Sequence, residues 1–163
     1  ALATGDAELL KETMGAKSTL SRYFKNKADA YNYAVGLSNG GSREVSGFAL
    51  KNGDYIVSDP SGNSRTNSFF PITRKGGEFY SKFEGENYLI KGQFHTHPPG
   101  RGTFDPIGVS NKDLSHLSKG TFNDMRILYK GVEYQIIYPG SQYLNTGNFG
   151  TFNYSLKNLG SWK

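Results

Sequence analysis

The residues of this sequence best suited to chemistry are two histidines that stand one residue apart. They occur in His95-Thr96-His97-Pro98, and a fifteen-residue spacer separates His97 from Asp113. On a β-strand, residues i and i+2 project from the same face, so both imidazoles can converge on one metal ion. Asp113 can supply a carboxylate as the third ligand. Two neutral nitrogens and one carboxylate leave zinc an open position for water, as in hydrolytic zinc sites.

Ser110 begins the helix that is predicted to carry Asp113. The segment Ser110-Asn111-Lys112-Asp113 is typical of a helix N-terminus, where the serine hydroxyl accepts a hydrogen bond from the backbone near Asp113. The same hydroxyl can donate to the oxyanion that forms when a carbonyl is attacked. Residues 98–109 must fold back for Asp113 to reach the histidines, and we expect this loop to overhang the site.

A water molecule activated at such a site needs a general base, and the histidines are committed to the metal. Several glutamates are chemically plausible as that base. They are Glu8, Glu12, Glu44, Glu78, Glu84, Glu86 and Glu133. Glu44 is favoured because it opens a predicted strand directly after a helix, where a neighbouring strand can bring it beside His95 and His97. The residue pattern alone leaves this choice open.

The elements that must position these residues include several predicted helices. Apolar residues at helical spacing predict a helix over residues 28–37, with Asn26 as its N-cap. Residues 6–14 are expected to be helical because their acids come early and Gly15 follows. A short turn is expected over residues 18–24, and another helix runs from Ser110 to Gly120.

Strands are predicted from alternating and β-branched or aromatic segments. The predicted strands are residues 43–50, 55–58, 88–95, 125–129 and 132–138. Asn52-Gly53 and Lys130-Gly131 are expected to be the turns of two hairpins. Residues 78–83 fit either a helix or a strand. The fold class that follows is α/β or α+β, a mixed sheet flanked by helices.

Three regions are predicted along the chain. Residues 1–26 form an N-terminal helical extension, residues 27–138 the core, and residues 139–163 a Gly- and aromatic-rich arm. We expect this arm to pack on the core as an extra strand or a cover. Because the sequence starts at Ala1 without Met, it is expected to be a terminal domain released from a longer protein.

Composition limits the classes of function. The 163 residues include no Cys, which excludes disulfides, Cys-ligated metals and a thiol nucleophile. No apolar run is long enough for a membrane span, and the N-terminus lacks the pattern of a signal peptide. The net charge of +5 weakly favours phosphate or acidic partners, but the basic residues are scattered and name no partner.

The order of these motifs resembles the JAB1/MPN/MOV34 metalloenzymes, the JAMM group. The family signature is an upstream Glu, then His-x-His-Pro, then Ser-x-x-Asp, and Glu44, His95-Thr96-His97-Pro98 and Ser110–Asp113 match it in order. The resemblance covers about residues 27–138 and implies a JAB/MPN-like fold. It also implies Zn²⁺ on His95, His97 and Asp113, Glu44 as the base, and Ser110 assisting the oxyanion. Members of the family cleave peptide or isopeptide bonds, often in ubiquitin-like proteins.

The sequence departs from the family pattern in one respect, and this departure implies a biological setting. The spacer between His97 and Asp113 is longer than is usual and contains Phe104-Asp105-Pro106, which resembles JAB-like domains at the C-termini of bacterial Rhs-type polymorphic toxins. This resemblance implies a soluble effector domain, secreted or delivered into a target cell as part of a larger bacterial protein. It implies a protein or peptide substrate, with an immunity protein or a secretion apparatus as further partners.

Two other functions stay open at this point. A noncatalytic JAB-like interaction domain would keep the fold without metal, although here the ligand set is complete. A metal-dependent nuclease toxin is weakly favoured by the positive charge, but nucleic acid is a less expected partner because no second carboxylate cluster suggests a two-metal site. His116, one turn after Asp113, is interpreted as a residue of the helix flank and is kept out of the site.

Overall fold

The computed structural model describes residues 19–38, 44–60, 72–97, 122–145 and 151–162. Within these ranges the protein is an α+β structure, with one helix and nine strands that join in a largely antiparallel sheet. In chain order, the elements are β1 Thr19–Phe24, α1 Lys27–Leu37, β2 Ser46–Leu50, β3 Tyr55–Pro60, β4 Thr73–Lys75, β5 Glu78–Phe83, β6 Glu86–Thr96, β7 Met125–Tyr129, β8 Val132–Asn145 and β9 Thr151–Gly160. None of the helices in the described part of the chain has the length and hydrophobicity needed to cross a membrane.

The sheet places β6 at its centre. The strand order is β1-β3-β2-β6-β7-β8-β9, and a β4–β5 hairpin pairs with the first residues of β6. Strands β6 and β7 are parallel, whereas the other paired strands are antiparallel, so the sheet is mixed as predicted. The C-terminal residues of β6 therefore have a hydrogen-bonded neighbour on each side, β2 and β7.

The predicted helix and its cap are confirmed. The Asn26 side chain accepts a hydrogen bond from the Asp29 backbone N at 2.9 Å, and α1 runs from Lys27 to Leu37. Ala30 and Ala34 are fully buried, which lets the helix lie close to the sheet. The helix covers one face of the sheet.

Two apolar clusters lie on opposite faces of the sheet. The cluster on the helix face contains Ala30, Tyr31, Ala34, Val45, Val57, Phe94, Leu128 and Trp162. The cluster on the other face contains Tyr23, Phe48, Leu50, Ile56, Phe83, Ile90, Phe122, Met125, Ile127, Ile136 and Tyr154. Because successive strand residues point to opposite faces, Phe94 and its neighbour His95 lie on different faces of β6.

The prediction of a turn over residues 18–24 is wrong, because residues 19–24 form β1 and pair with β3. Ser21 and Tyr23 are buried while Arg22 and Phe24 are only half-buried, which is the alternation of a strand. This strand also corrects the helical reading of the last part of residues 1–26. The helix predicted over residues 6–14 lies outside the described residues.

Two segments that the sequence left open are strands. Residues 78–83 form β5, and the segment after Pro139 continues β8 and then forms β9. Strand β9 pairs with β8, and Tyr154 and Trp162 contribute to the two apolar clusters. Both predicted hairpins, β2–β3 and β7–β8, are confirmed.

Gly47 lies where β2 packs tightly against its neighbours. A Cβ atom built there would overlap the ring of Phe94 and lie 2.5 Å from the Ile56 backbone O. We expect Gly47→Ala to lower the free energy of unfolding by about 1–3 kcal/mol, because neither neighbour can yield without cost. Gly36 in α1 has nothing within 4 Å of such a Cβ, so Gly36→Ala is expected to raise stability by about 0.5–1 kcal/mol. Urea unfolding midpoints of the two variants check the contrast, and a Gly47→Ala midpoint equal to wild type would contradict it.

Candidate metal centre

The two histidines lie at the C-terminal end of the central strand. His95 is opposite Ser46 of β2 on one side and Ile127 of β7 on the other. Beyond the end of β6, the His97 backbone N donates to the Leu128 O at 3.1 Å. The backbone that carries both imidazoles is therefore held from both sides.

The imidazoles of His95 and His97 converge. Their Nε2 atoms are 2.9 Å apart, and the two residues are 1% and 5% exposed. Two nitrogens bound to one tetrahedral zinc ion at 2.0–2.1 Å would be about 3.3 Å apart. The observed spacing is a few tenths of an ångström shorter and makes a hydrogen bond between the two rings, and the same two atoms are placed to share a metal ion.

Gln93 belongs to the same row of side chains, and the sequence reasoning missed it. Its Oε1 lies 2.9 Å from His95 Nδ1, and the residue is 4% exposed. Gln93, His95 and His97 alternate along one strand face. The pattern Gln-x-His-x-His was the signal in the sequence, because a strand period of two places all three side chains together.

Glu44 lies next to the histidines at the level of the backbone. Val45 N donates to Thr96 Oγ1 at 2.9 Å, and Thr96 N donates to Val45 O at 2.8 Å. Ser46 of β2 pairs with His95 of β6. Two residues further along the same antiparallel register, Glu44 lies opposite His97, on the same face of the sheet. Glu44 is half-buried. The antiparallel neighbour strand thus brings Glu44 to the histidine end of β6, while its role as base stays a prediction.

Three other candidate bases are remote from the histidines. All three are exposed: Glu84 and Glu86 lie at the β5–β6 turn, and Glu78 lies at the opposite end of β5, next to β4. Glu86 and His95 are nine positions apart along the extended strand β6, which corresponds to about 30 Å. Glu8 and Glu12 lie outside the described residues.

Glu133 is on the helix face, away from the histidines. It pairs across the strands with Leu128, which belongs to the helix-face cluster. Its carboxylate accepts hydrogen bonds from Lys27 Nζ at 2.9 Å, Arg126 Nη1 at 2.8 Å and the Tyr31 hydroxyl at 2.8 Å. Arg126 also forms a two-point contact with Asp124, at 3.1 and 3.2 Å. These contacts give Glu133 a structural role.

Burial and the neighbouring charged groups determine the ionisation of Glu133 and Tyr31. Burial opposes ionisation of Glu133, but the hydrogen bonds from Arg126, Lys27 and Tyr31 prevail and lower its pKa. Burial, together with the Glu133 charge and hydrogen bond, raises the pKa of the Tyr31 hydroxyl. Glu133 is thus ionised and Tyr31 neutral at pH 7. A cleft of about 210 Å³ opens beside this network and is lined by Lys27, Tyr55 and Arg126 among others.

The remaining predicted site residues, Ser110 and Asp113, lie outside the described residues, as do His116 and the loop over residues 98–109. Within the described ranges, no third His, Cys, Asp or Glu joins His95 and His97 in a metal-binding group. The structure thus brings together the two imidazoles, Gln93 and the backbone of Glu44. Asp113 as third ligand stays a prediction.

Comparison of the chain with protein-family models, with curated protein sequences and with solved structures found no match.

Proposed function

We propose that this protein is a JAMM-type zinc metallopeptidase that hydrolyses a peptide or isopeptide bond. The single observation that carries the proposal is the pair of buried imidazoles whose Nε2 atoms lie 2.9 Å apart at the end of a central strand. Two nitrogen donors so close together, in a buried position beside the strand that leads to Glu44, support a shared metal ion at this end of the sheet. The order of motifs in the sequence supports the same assignment.

The residues proposed to hold zinc are His95, His97 and Asp113. Zinc bound there would supply Lewis acidity and activate water at neutral pH. A site with three protein ligands is typical of catalytic zinc, because four protein ligands would leave no room for reactants. The JAB/MPN-like fold is part of this proposal, and the mixed sheet with a helix on one face is consistent with it.

Protein groups perform the proton transfers in this proposal. The Glu44 carboxylate takes a proton from the attacking water and returns it to the leaving amine, so that the amine departs neutral. The Ser110 hydroxyl donates to the oxyanion that forms at the attacked carbonyl. Peptide or isopeptide bonds are the proposed substrates because this set of residues supplies both a base and an oxyanion donor.

The biological setting is proposed from the sequence alone. The long spacer with Phe104-Asp105-Pro106 supports a bacterial effector domain delivered as part of a larger protein. An immunity protein or a delivery apparatus is then the expected partner, besides the protein substrate.

The experiment that tests the proposed function is hydrolysis of a panel of folded isopeptide-linked conjugates, cell-wall-type peptides and linear peptides, with DNA and RNA included as phosphodiester substrates. We expect the zinc-loaded protein to cleave at least one amide substrate, with loss of activity after chelation and recovery on zinc addition. Failure on every amide substrate, or metal-dependent cleavage of nucleic acid only, would contradict the peptidase assignment.

A further inference from the structure

The side-chain amide of Gln93 is buried between apolar residues of the two neighbouring strands. Its partner in register on β2 is Phe48, and its partner on β7 is Met125, both of which belong to the apolar cluster of that face. Burying a side-chain amide costs free energy unless the amide is hydrogen-bonded. The bond that the structure provides is the one between Gln93 Oε1 and His95 Nδ1, at 2.9 Å.

The orientation of the Gln93 amide determines which nitrogen of a neutral His95 ring carries the proton. With Oε1 facing the ring, Gln93 only accepts, so His95 donates from Nδ1–H and the lone pair then lies on Nε2. That Nε2 is the atom 2.9 Å from His97 Nε2. With the opposite amide orientation, the Gln93 NH₂ would donate to Nδ1 and the proton would sit on Nε2, where it would block metal binding.

The hydrogen bond between Gln93 and His95 is held in place by the backbone of the central strand. Gln93 and His95 stand two residues apart on the central strand, and the Gln93 backbone N is itself held by Asp124 O at 2.9 Å. Partners that accept the second N–H of a metal-binding histidine orient the ring and increase its basicity, and their loss typically weakens metal binding about 10–100-fold.

We propose that Gln93 is a positioning residue that holds His95 in the Nδ1–H form and thereby presents Nε2 as a metal donor. The inference depends on the zinc site of the proposed function and extends it by one residue. In this account Gln93 touches neither substrate nor metal. It acts through His95.

The test uses the full chain and two substitutions, Gln93→Leu and Gln93→Glu, with Lys91→Leu as a control at an exposed position of the same strand. The first readout is the ¹⁵N chemical shifts of the His95 ring in protein prepared without metal, which distinguish the two neutral forms. We expect wild type to be protonated on Nδ1 and Gln93→Leu to lose this preference.

The second readout is the zinc dissociation constant, measured by competition with a chromogenic chelator. We expect it to rise about 10–100-fold in Gln93→Leu. It should stay at the wild-type value or fall in Gln93→Glu, which retains an acceptor, and stay unchanged in Lys91→Leu. If Gln93→Leu does not fold, the wild-type ring shifts and the zinc affinity of Gln93→Glu still decide the matter.

The inference is overturned if wild-type His95 is protonated on Nε2, if Gln93→Leu binds zinc within twofold of wild type, or if Gln93→Glu binds it more weakly. Loss of zinc affinity in Gln93→Leu, in a protein that hydrolyses no amide, would support Gln93 and contradict the peptidase. Absence of zinc binding in wild type would overturn both proposals.

Discussion

Replacing Glu44 by Gln is expected to lower the rate of amide hydrolysis about 10²–10⁴-fold, the usual contribution of a general base. Glutamine has nearly the same shape but cannot take a proton from water. The register of β2 with β6 places residue 44 opposite His97, and Val45 and Thr96 hold the two strands together by two hydrogen bonds. The substitution should therefore leave the backbone and the metal ligands in place.

The measurement is kcat for the best substrate of the panel, together with zinc content for the same preparations. Glu78→Gln is the matched control, because it makes the same chemical change at an exposed residue of β5. The control is expected to retain wild-type kcat. Equal kcat in wild type and Glu44→Gln would end the assignment of Glu44 as base, and loss of zinc from Glu44→Gln would recast it as a ligand.

Replacing Glu133 by Gln is expected to lower the free energy of unfolding by about 3 kcal/mol at pH 7. Removing one partner of a buried ion pair typically costs about 3–5 kcal/mol. The lower value applies because the Lys27 side chain is 37% exposed and Arg126 keeps its contact with Asp124. Because the Glu133 side chain itself is only 2% exposed, water does not replace the interactions that are lost with the carboxylate.

The lowered pKa of Glu133 predicts that the free energy of unfolding depends on pH. The Glu133 pKa is lowered in the folded protein from an ordinary value of 4.5, so the carboxylate stabilises the fold above that pH. This stability is lost as the pH falls through the lower, folded-state pKa. The difference in unfolding free energy between wild type and Glu133→Gln should therefore shrink below about pH 4.5.

Urea unfolding at pH 7 and at several acidic pH values checks both statements. Glu86→Gln, an exposed carboxylate at the start of β6, should change stability by less than about 0.5 kcal/mol. A Glu133→Gln variant as stable as wild type at pH 7, or a difference that grows in acid, would contradict the role given to this cluster.

Much of the sheet could be predicted because the signals were local. The Asn52-Gly53 and Lys130-Gly131 pairs favour tight turns, and in the structure Lys130 and Gly131 both have positive φ, 49° and 79°. Glu84 and Gly85 adopt the same kind of turn, with φ values of 49° and 82°. That turn was not predicted because residues 78–83 fit either a helix or a strand, so no strand was assigned on the N-terminal side of Glu84-Gly85.

Strand β1 was mispredicted because its stability comes from tertiary contacts. Its burial alternates over only a few residues, and Tyr23 gains its environment from Phe83 and Tyr88, which are distant in sequence. A short edge strand of this kind carries little local information, since strand propensity mainly reflects packing against neighbours.

Some parts of the candidate site could also be predicted from local sequence, and others could not. A strand period of two was enough to predict that His95 and His97 share a face. The position of Glu44 depended on which strand pairs with β6, which sequence spacing does not specify. The exclusion of Glu133 required knowing that its face of the sheet is the one covered by α1 and that Lys27 and Arg126 already hold its carboxylate. Gln93 was missed although the Gln-x-His-x-His spacing places it on the same strand face, because an amide side chain is not among the usual ligands of zinc.

The most direct measurement is zinc content and affinity for wild type and for the His95→Asn/His97→Asn double variant, with His116→Asn as the matched control. We expect equimolar zinc in wild type and in the control, and none in the double variant, with circular dichroism spectra that agree among the three. Wild-type protein that takes up no zinc, or a double variant loaded as fully as wild type, would contradict the claim that His95 and His97 hold a catalytic metal.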